Sequence, residues 1–231
     1  MPDALADAPA LRAVLFDLDG TLLDTAPDLA AALNRVLEAH GRATLPFAHI
    51  RPWVSHGSYA LTRLGFDFEE GSAEFEAARL ALLDSYHAHV ADQTTPFEGV
   101  HALVERLETH GLRWGIVTNK PDWLTQPLLA KLALPWRPGC VVSGDTLPER
   151  KPHPAPLLHA AAQLDCAPEA CAYVGDAERD IEAGRRAGMR TLAASWGYYT
   201  AAEDPAQWSA DAVVHGPAEV WSWIVQLRQT P

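Results

Sequence analysis

Short apolar runs recur along the chain at Ala13 to Phe16, Leu112 to Val117, Cys140 to Val142, Ala172 to Val174, Thr191 to Ala194 and Ala212 to Val214. Each has the length and bounding turns of a buried strand. Between most of them the apolar positions fall at helical spacing. Leu157, Leu158 and Ala161 precede one run, and Ile181, Ala183 and the stretch Gly184 to Ala187 precede another. Strands alternating with helices predict an α/β fold, a Rossmann-like parallel sheet covered on both faces. In such folds ligands sit outside the carboxyl ends of the strands.

The interval from Asp24 to Thr95 breaks this rhythm. Leu29, Leu33, Val36 and Leu37 stand at helical spacing, with Gly41 as a C-terminal stop. Phe75, Leu82, Leu83, Tyr86 and Val90 line a second helical stripe, and no convincing strand lies between the two. The expected organisation is a core of residues 1–23 and 95–231 with an all-helical insert, residues 24–94, placed after the first strand. Pro96 and Gly99 mark the return to the sheet.

The composition narrows the class of protein. Hydrophobic residues make up 48% and charged residues 21%, enough to fill a core and stay soluble. No apolar run is long enough to span a membrane, and Met1 to Ala10 lacks the pattern of a signal peptide. Three cysteines without a C-x-x-C pair argue against a disulfide framework or a zinc site and fit a reducing cytoplasm. The formal net charge of −12 disfavours nucleic acid and anionic membrane as partners. An acidic protein that handles an anion must supply positive charge locally, and a metal ion is the obvious supply.

The candidate chemistry lies beside the strand ends. Asp17 and Asp19 follow the first run two residues apart, so one carboxylate can attack while the other moves a proton. Gly20 allows a sharp turn and Thr21 offers donors to an anion; an ordinary Asx turn is the competing structural reading. Thr118 and Asn119 end the second run and suit either phosphoryl oxygens or the cap of a helix starting near Pro121. Lys151, in Arg-Lys-Pro-His-Pro, is either a fixed point charge for a phosphate or a solvated surface lysine. Asp176 and Asp180 stand one helical turn apart, so both face one point. Oxygen-only ligands there select a hard cation such as Mg²⁺, although capping of the helix by Asp176 explains the same residues structurally. His87 and His89 diverge on a helix and are not read as a metal site.

Asp17-Leu-Asp-Gly-Thr, Val117-Thr-Asn, Lys151-Pro and Gly175-Asp-x-x-x-Asp180 resemble, in order, the four motifs of the haloacid-dehalogenase-like phosphohydrolases. Within that superfamily Asp24-Thr-Ala-Pro-Asp and Val174-Gly-Asp-Ala-Glu-Arg-Asp are most similar to phosphoglycolate phosphatases. Val117-Thr-Asn-Lys-Pro, Trp196-Gly-Tyr and Trp208-Ser-Ala-Asp are similarly close to bacterial N-acetylmuramic acid 6-phosphate phosphatases. The resemblance implies a Mg²⁺-dependent phosphomonoester hydrolase. Asp17 would form an aspartyl-phosphate and Asp19 would serve as acid and base. The metal would be held by Asp17, the Asp19 backbone carbonyl and Asp176, with Asp180 direct or through water. Lys151, Thr118 and nearby backbone N–H groups would offset charge on the phosphoryl group. The helical insert resembles the family's mobile cap. In it Trp53-Val-Ser-His-Gly-Ser reads as a loop able to close over the site, with Ser55, His56 and Gly57 as candidate substrate contacts; a surface role for His56 stays open. The expected partner is a small phosphorylated metabolite, phosphoglycolate first and a sugar phosphate as the alternative, handled by a monomer or homodimer. A phosphomutase and a non-catalytic phospho-ligand sensor are the competing functions.

Overall fold

A computed structural model describes residues 10–229. Most of the Met1 to Ala10 segment, including the part of the core boundary drawn at residue 1, therefore lies outside the described residues. In chain order the elements are β1 (Ala13–Phe16), β2 (Leu23–Asp24), α1 (Ala26–Ala39), α2 (Phe47–Ile50), α3 (Gly57–Gly65), α4 (Ala73–Ala88) and β3 (Thr95–Pro96). There follow α5 (Val100–Thr109), β4 (Arg113–Val117), α6 (Asp122–Leu132), β5 (Val141–Val142), α7 (Ala155–Gln163) and β6 (Cys171–Gly175). The chain ends with α8 (Glu178–Arg186), β7 (Arg190–Ala194), β8 (Ala212–Val214) and α9 (Pro217–Gln229).

The sheet has six parallel strands in the order β5-β4-β1-β6-β7-β8. All six coincide with the apolar runs. The inner strands β1 and β6 are buried along their whole length, which is why they read as unbroken apolar stretches rather than as alternating ones. β1 lies between β4 and β6 in matched register, Phe16 opposite both Ile116 and Val174. The residues that follow these three strands therefore emerge side by side above one edge of the sheet.

Helices α1 to α4 lie between β2 and β3. Those two strands form a small antiparallel ribbon, Leu23 opposite Pro96 and Asp24 opposite Thr95. The sequence reading has no strand here, because a strand of two residues is too short to show a period. A second difference concerns the segment read as a closing loop. Arg51–His56 is a 3-10 helix that runs directly into α3. Pro52 in its first turn favours a helical start, and Gly57, with φ +79°, makes the break between the two.

Inside this helical segment Leu33, Val36 and Leu37 of α1 pack in one cluster with Ala78, Leu82 and Tyr86 of α4. Leu18, Leu22, Leu23 and Tyr198 extend the same cluster down to the sheet. Asp28, fully buried in α1, closes the neck of the segment. It accepts hydrogen bonds from Gln93 N at 2.9 Å, Thr94 N at 2.9 Å and Thr94 Oγ1 at 2.6 Å. Among the described residues no helix is long and apolar enough to cross a membrane.

The Asp28→Ala variant strips three donors of their acceptor at a buried position. It is expected to lose roughly 2 to 4 kcal/mol of stability, read from urea unfolding. A loss below about 0.5 kcal/mol, the range of an ordinary surface change, would contradict the role given to Asp28.

Candidate active site

Lys151 occupies the centre of the site. Its side chain is fully buried, so the surface reading of this lysine does not hold. The ammonium stands 2.9 Å from Asp17 Oδ1 and 2.8 Å from Asp180 Oδ1. It also donates to Val117 O at 2.9 Å and to Tyr173 Oη at 2.7 Å. Asn119 fixes the backbone that carries it: Asn119 Nδ2 donates to Lys151 O at 2.9 Å and Lys151 N donates to Asn119 Oδ1 at 3.0 Å. Both ends of the amide are therefore engaged in positioning Lys151, and one N–H of Nδ2 has no partner among the described residues. Neither Thr118 nor Asn119 caps the next helix. Thr118 is buried and accepts from Lys120 N at 3.1 Å, and α6 begins after Pro121.

Asp17 is held on one oxygen. Oδ1 accepts from Leu18 N at 2.8 Å and faces Lys151, while Oδ2 has no protein donor among the described residues. Burial pushes the Asp17 carboxyl up to about 6; Lys151 works against that shift and Asp180 adds to it. Asp176 is also fully buried. Its Oδ2 accepts from Tyr198 N and Ser55 Oγ, each at 2.8 Å, and its Oδ1 accepts from Thr21 Oγ1 at 3.2 Å. Burial, followed by repulsion from Asp17 and Asp180, raises Asp176 to about 7. Gly20 and Gly197 make room for this carboxylate. A Cβ on either would come within 2.1 Å of Asp176 atoms, and Gly20 also has φ +81°. Asp180 accepts from Ala177 N at 3.1 Å through Oδ2, so it caps α8 while its other oxygen faces the site.

Asp19 stands apart from this trio. Its Oδ1 accepts from Thr25 Oγ1 at 2.6 Å and pairs with Lys120 Nζ at 3.0 Å. Burial opposes the Lys120 charge, but Asp19 and Tyr86 together outweigh it and hold the ammonium above the ordinary lysine range. Lys120 also sits 4.4 Å from the centre of the Tyr86 ring.

One carboxylate oxygen each from Asp17, Asp176 and Asp180 lies within 4.8 Å of the others, all three residues buried. Asp180 Oδ1 is buried without an aligned hydrogen-bond donor, its nearby charge being Lys151. An oxygen-only set with a lone pair to spare fits a hard divalent cation such as Mg²⁺. The Asp19 carboxylate is not part of this cluster, so any contribution from that residue falls to its backbone carbonyl.

The cavity above Asp17 and Asp19 measures about 410 Å³ and is lined by Thr118, Asn119 and Lys120 on the sheet side and by Ser55, His56 and Gly57 on the helical side. Ser55 touches Asp176, and the His56 ring pairs with Glu203 at 3.2 Å, so neither stands free in the cavity. Arg179 also lines it. Its guanidinium has no hydrogen-bond or ion-pair partner among the described residues, while Asp180, Asp17 and Asp176 all act on its charge. Sequence reasoning misses Thr25, Lys120, Arg179 and Tyr198. Only Arg179 leaves a local signal, an unmatched cation inside an acidic motif.

The comparisons with known proteins agree with this geometry. A family model described as haloacid dehalogenase-like hydrolase matches residues 14–194. A phosphoglycolate phosphatase of Xanthomonas campestris pv. campestris is 47% identical over 210 residues, 91% of this chain and 95% of that one. An N-acetylmuramic acid 6-phosphate phosphatase of Pseudomonas aeruginosa is 40% identical over 210 residues, 91% of this chain and 93% of that one. The crystal structure of a predicted phosphoglycolate phosphatase from Haemophilus somnus superimposes with a TM-score of 0.80 at 26% identity, covering 92% of this chain and 97% of that one. With relatives named as phosphatases along nearly its whole length, the chain belongs to the haloacid dehalogenase-like hydrolases and is an enzyme of that family's phosphatase type.

Proposed function

We propose that the chain hydrolyses a small phosphomonoester through an aspartyl-phosphate on Asp17, with residues 24–94 acting as a cap. The observation that carries this reading is the asymmetry of Asp17: Lys151 and Leu18 N hold Oδ1, and Oδ2 is left as the free nucleophile. Asp17 Oδ2 attacks phosphorus in line while the leaving alcohol takes a proton from Asp19. Asp19 then removes a proton from the water that attacks the phosphoryl-aspartate and releases phosphate. Thr25 and Lys120 keep the Asp19 carboxylate over the site for both steps. Lys151 and Arg179 answer the charge on the phosphoryl oxygens. Mg²⁺ would be held by Asp17, Asp176 and Asp180 and by the Asp19 backbone carbonyl, where it supplies positive charge to a site of four carboxylates. The relatives named above act on phosphoglycolate and on N-acetylmuramic acid 6-phosphate, and both are candidate substrates here.

Phosphate release from p-nitrophenyl phosphate tests the reading. The wild type with Mg²⁺ is expected to turn over, and EDTA is expected to stop it reversibly. The Asp17→Asn variant is expected to fall by at least about a thousandfold while melting normally. Substantial turnover by that variant, or full activity after metal removal, would overturn the assignment.

Arg179→Gln tests the role given to this guanidinium. The inhibition constant for inorganic phosphate is expected to rise roughly tenfold to a hundredfold, in line with about 1.5–3 kcal/mol for hydrogen bonds to a charged group. Unchanged phosphate inhibition would show that Arg179 only balances the carboxylates.

A further inference from the structure

Asp19 is held from two sides, and one of them leads to the helical segment. Thr25 Oγ1 and Lys120 Nζ both donate to Asp19 Oδ1, at 2.6 Å and 3.0 Å, and Oδ2 has no protein donor among the described residues. One oxygen is anchored and the other is left to act, so the aim of Oδ2 depends on where the Lys120 ammonium stands. The Lys120 backbone is fixed by the sheet domain. Its N–H donates to Thr118 Oγ1 at 3.1 Å and its carbonyl accepts from Gly144 N at 2.8 Å. The stem beyond is intrinsically flexible, yet only 6% of the side chain is exposed.

Tyr86 of α4 confines that ammonium. Lys120 Nζ stands 4.4 Å from the centre of the Tyr86 ring. Tyr86 is fully buried and its hydroxyl makes no aligned hydrogen bond among the described residues, so the residue meets Lys120 with its ring face. A cation shielded from water gains more from an aromatic face than an exposed one does. Tyr86 is itself firmly placed. It packs in one cluster with Leu82 of α4 and with Leu33, Val36 and Leu37 of α1. The end of α4 and the turn after it are seated on α6 of the sheet domain. The His87 and Trp123 rings lie 5.4 Å apart, and Lys131 Nζ donates to Asp92 Oδ1 at 2.5 Å.

Resting on the reading of Asp19 as the acid and base, we infer that Tyr86 is a positioning residue for it. The ring face holds Lys120, Lys120 holds Asp19 Oδ1, and Oδ2 is thereby aimed at the leaving oxygen. The helical segment then supplies part of the acid–base apparatus as well as a cover over the site. Thr25 keeps its own grip on Oδ1, so loss of the ring weakens the aim without abolishing it.

The leaving group separates this role from mere packing. A nitrophenolate departs without a proton near neutral pH, whereas an alkoxide requires one, so a misplaced acid slows alkyl phosphates selectively. The quantity to compare is kcat/KM, which reports phosphoryl transfer and not the later hydrolysis. The substrates are p-nitrophenyl phosphate and whichever of 2-phosphoglycolate and N-acetylmuramic acid 6-phosphate the wild type hydrolyses faster. Tyr86→Leu, or Tyr86→Met should the leucine variant fail to fold, is expected to lose at least about tenfold more on the alkyl ester than on the aryl ester. Tyr86→Phe, which keeps the ring, is expected to hold the wild-type ratio to within about threefold. Because Tyr86 acts through Lys120, adding Tyr86→Leu to Lys120→Met is expected to shift the ratio of Lys120→Met by less than about threefold. Equal losses on both esters in Tyr86→Leu, loss of the ratio in Tyr86→Phe, or multiplying losses in the double variant would overturn the inference. Asp19→Asn is the control for the reading beneath it. Equal losses on both esters in that variant would remove the acid–base assignment itself, whereas a biased loss there with none in Tyr86→Leu would strike Tyr86 alone.

Discussion

The buried ammonium of Lys151 is the constraint on which the rest of the site depends. A charge with no exposure is tolerated only when it is paired and fully hydrogen-bonded. Its four partners come from separate elements: Asp17 after β1, Val117 at the end of β4, Tyr173 within β6 and Asp180 in α8. Satisfying one cation therefore fixes the relative heights of three neighbouring strands and the first turn of a helix. It also decides which oxygen of Asp17 is occupied and which is free. Asn119 completes the arrangement by gripping the Lys151 backbone from the end of β4.

The same economy links the helical segment to the chemistry. Ser55 donates to Asp176, the carboxylate that Tyr198 N also holds, and the Tyr198 hydroxyl donates to Asp24 Oδ1 at 2.5 Å and accepts from Ala26 N at 3.1 Å at the start of α1. Arg51 lies 4.8 Å over the Tyr198 ring. The loop that steadies Asp176 thus also touches both the start of α1 and the docked Arg51 of the helical segment. Ser55 couples that segment to Asp176 through a single direct hydrogen bond, without a relay through the core.

Much of this was legible in the sequence, for identifiable reasons. A doubly covered parallel sheet leaves unbroken apolar runs, and the residues of the candidate site follow those runs at once, so Asp17, Thr118 and Asp176 could be found by position. Lys151 was marked by its place in Arg-Lys-Pro-His-Pro, although its burial was not. The pairing of Asp19 with Lys120 spans 101 positions, and that of Ser55 with Asp176 spans 121. No local pattern encodes such contacts. Asn119 illustrates a further limit: residue type suggested an anion contact, and the grip of its amide on the Lys151 backbone, 32 positions away, left no local signal. The β2–β3 ribbon and the 3-10 turn at Arg51–His56 are too short for periodicity to reveal.

The central claim is that the Asp17 oxygen left free by Lys151 takes the phosphoryl group. Rapid acid quench during steady turnover of a phosphomonoester, followed by peptide mass spectrometry, measures this most directly. The expected result is a phosphoryl adduct on the peptide containing Asp17, lost in Asp17→Asn and decaying once substrate is exhausted. Active turnover with no adduct on that peptide, or with the adduct on another residue, would contradict the account.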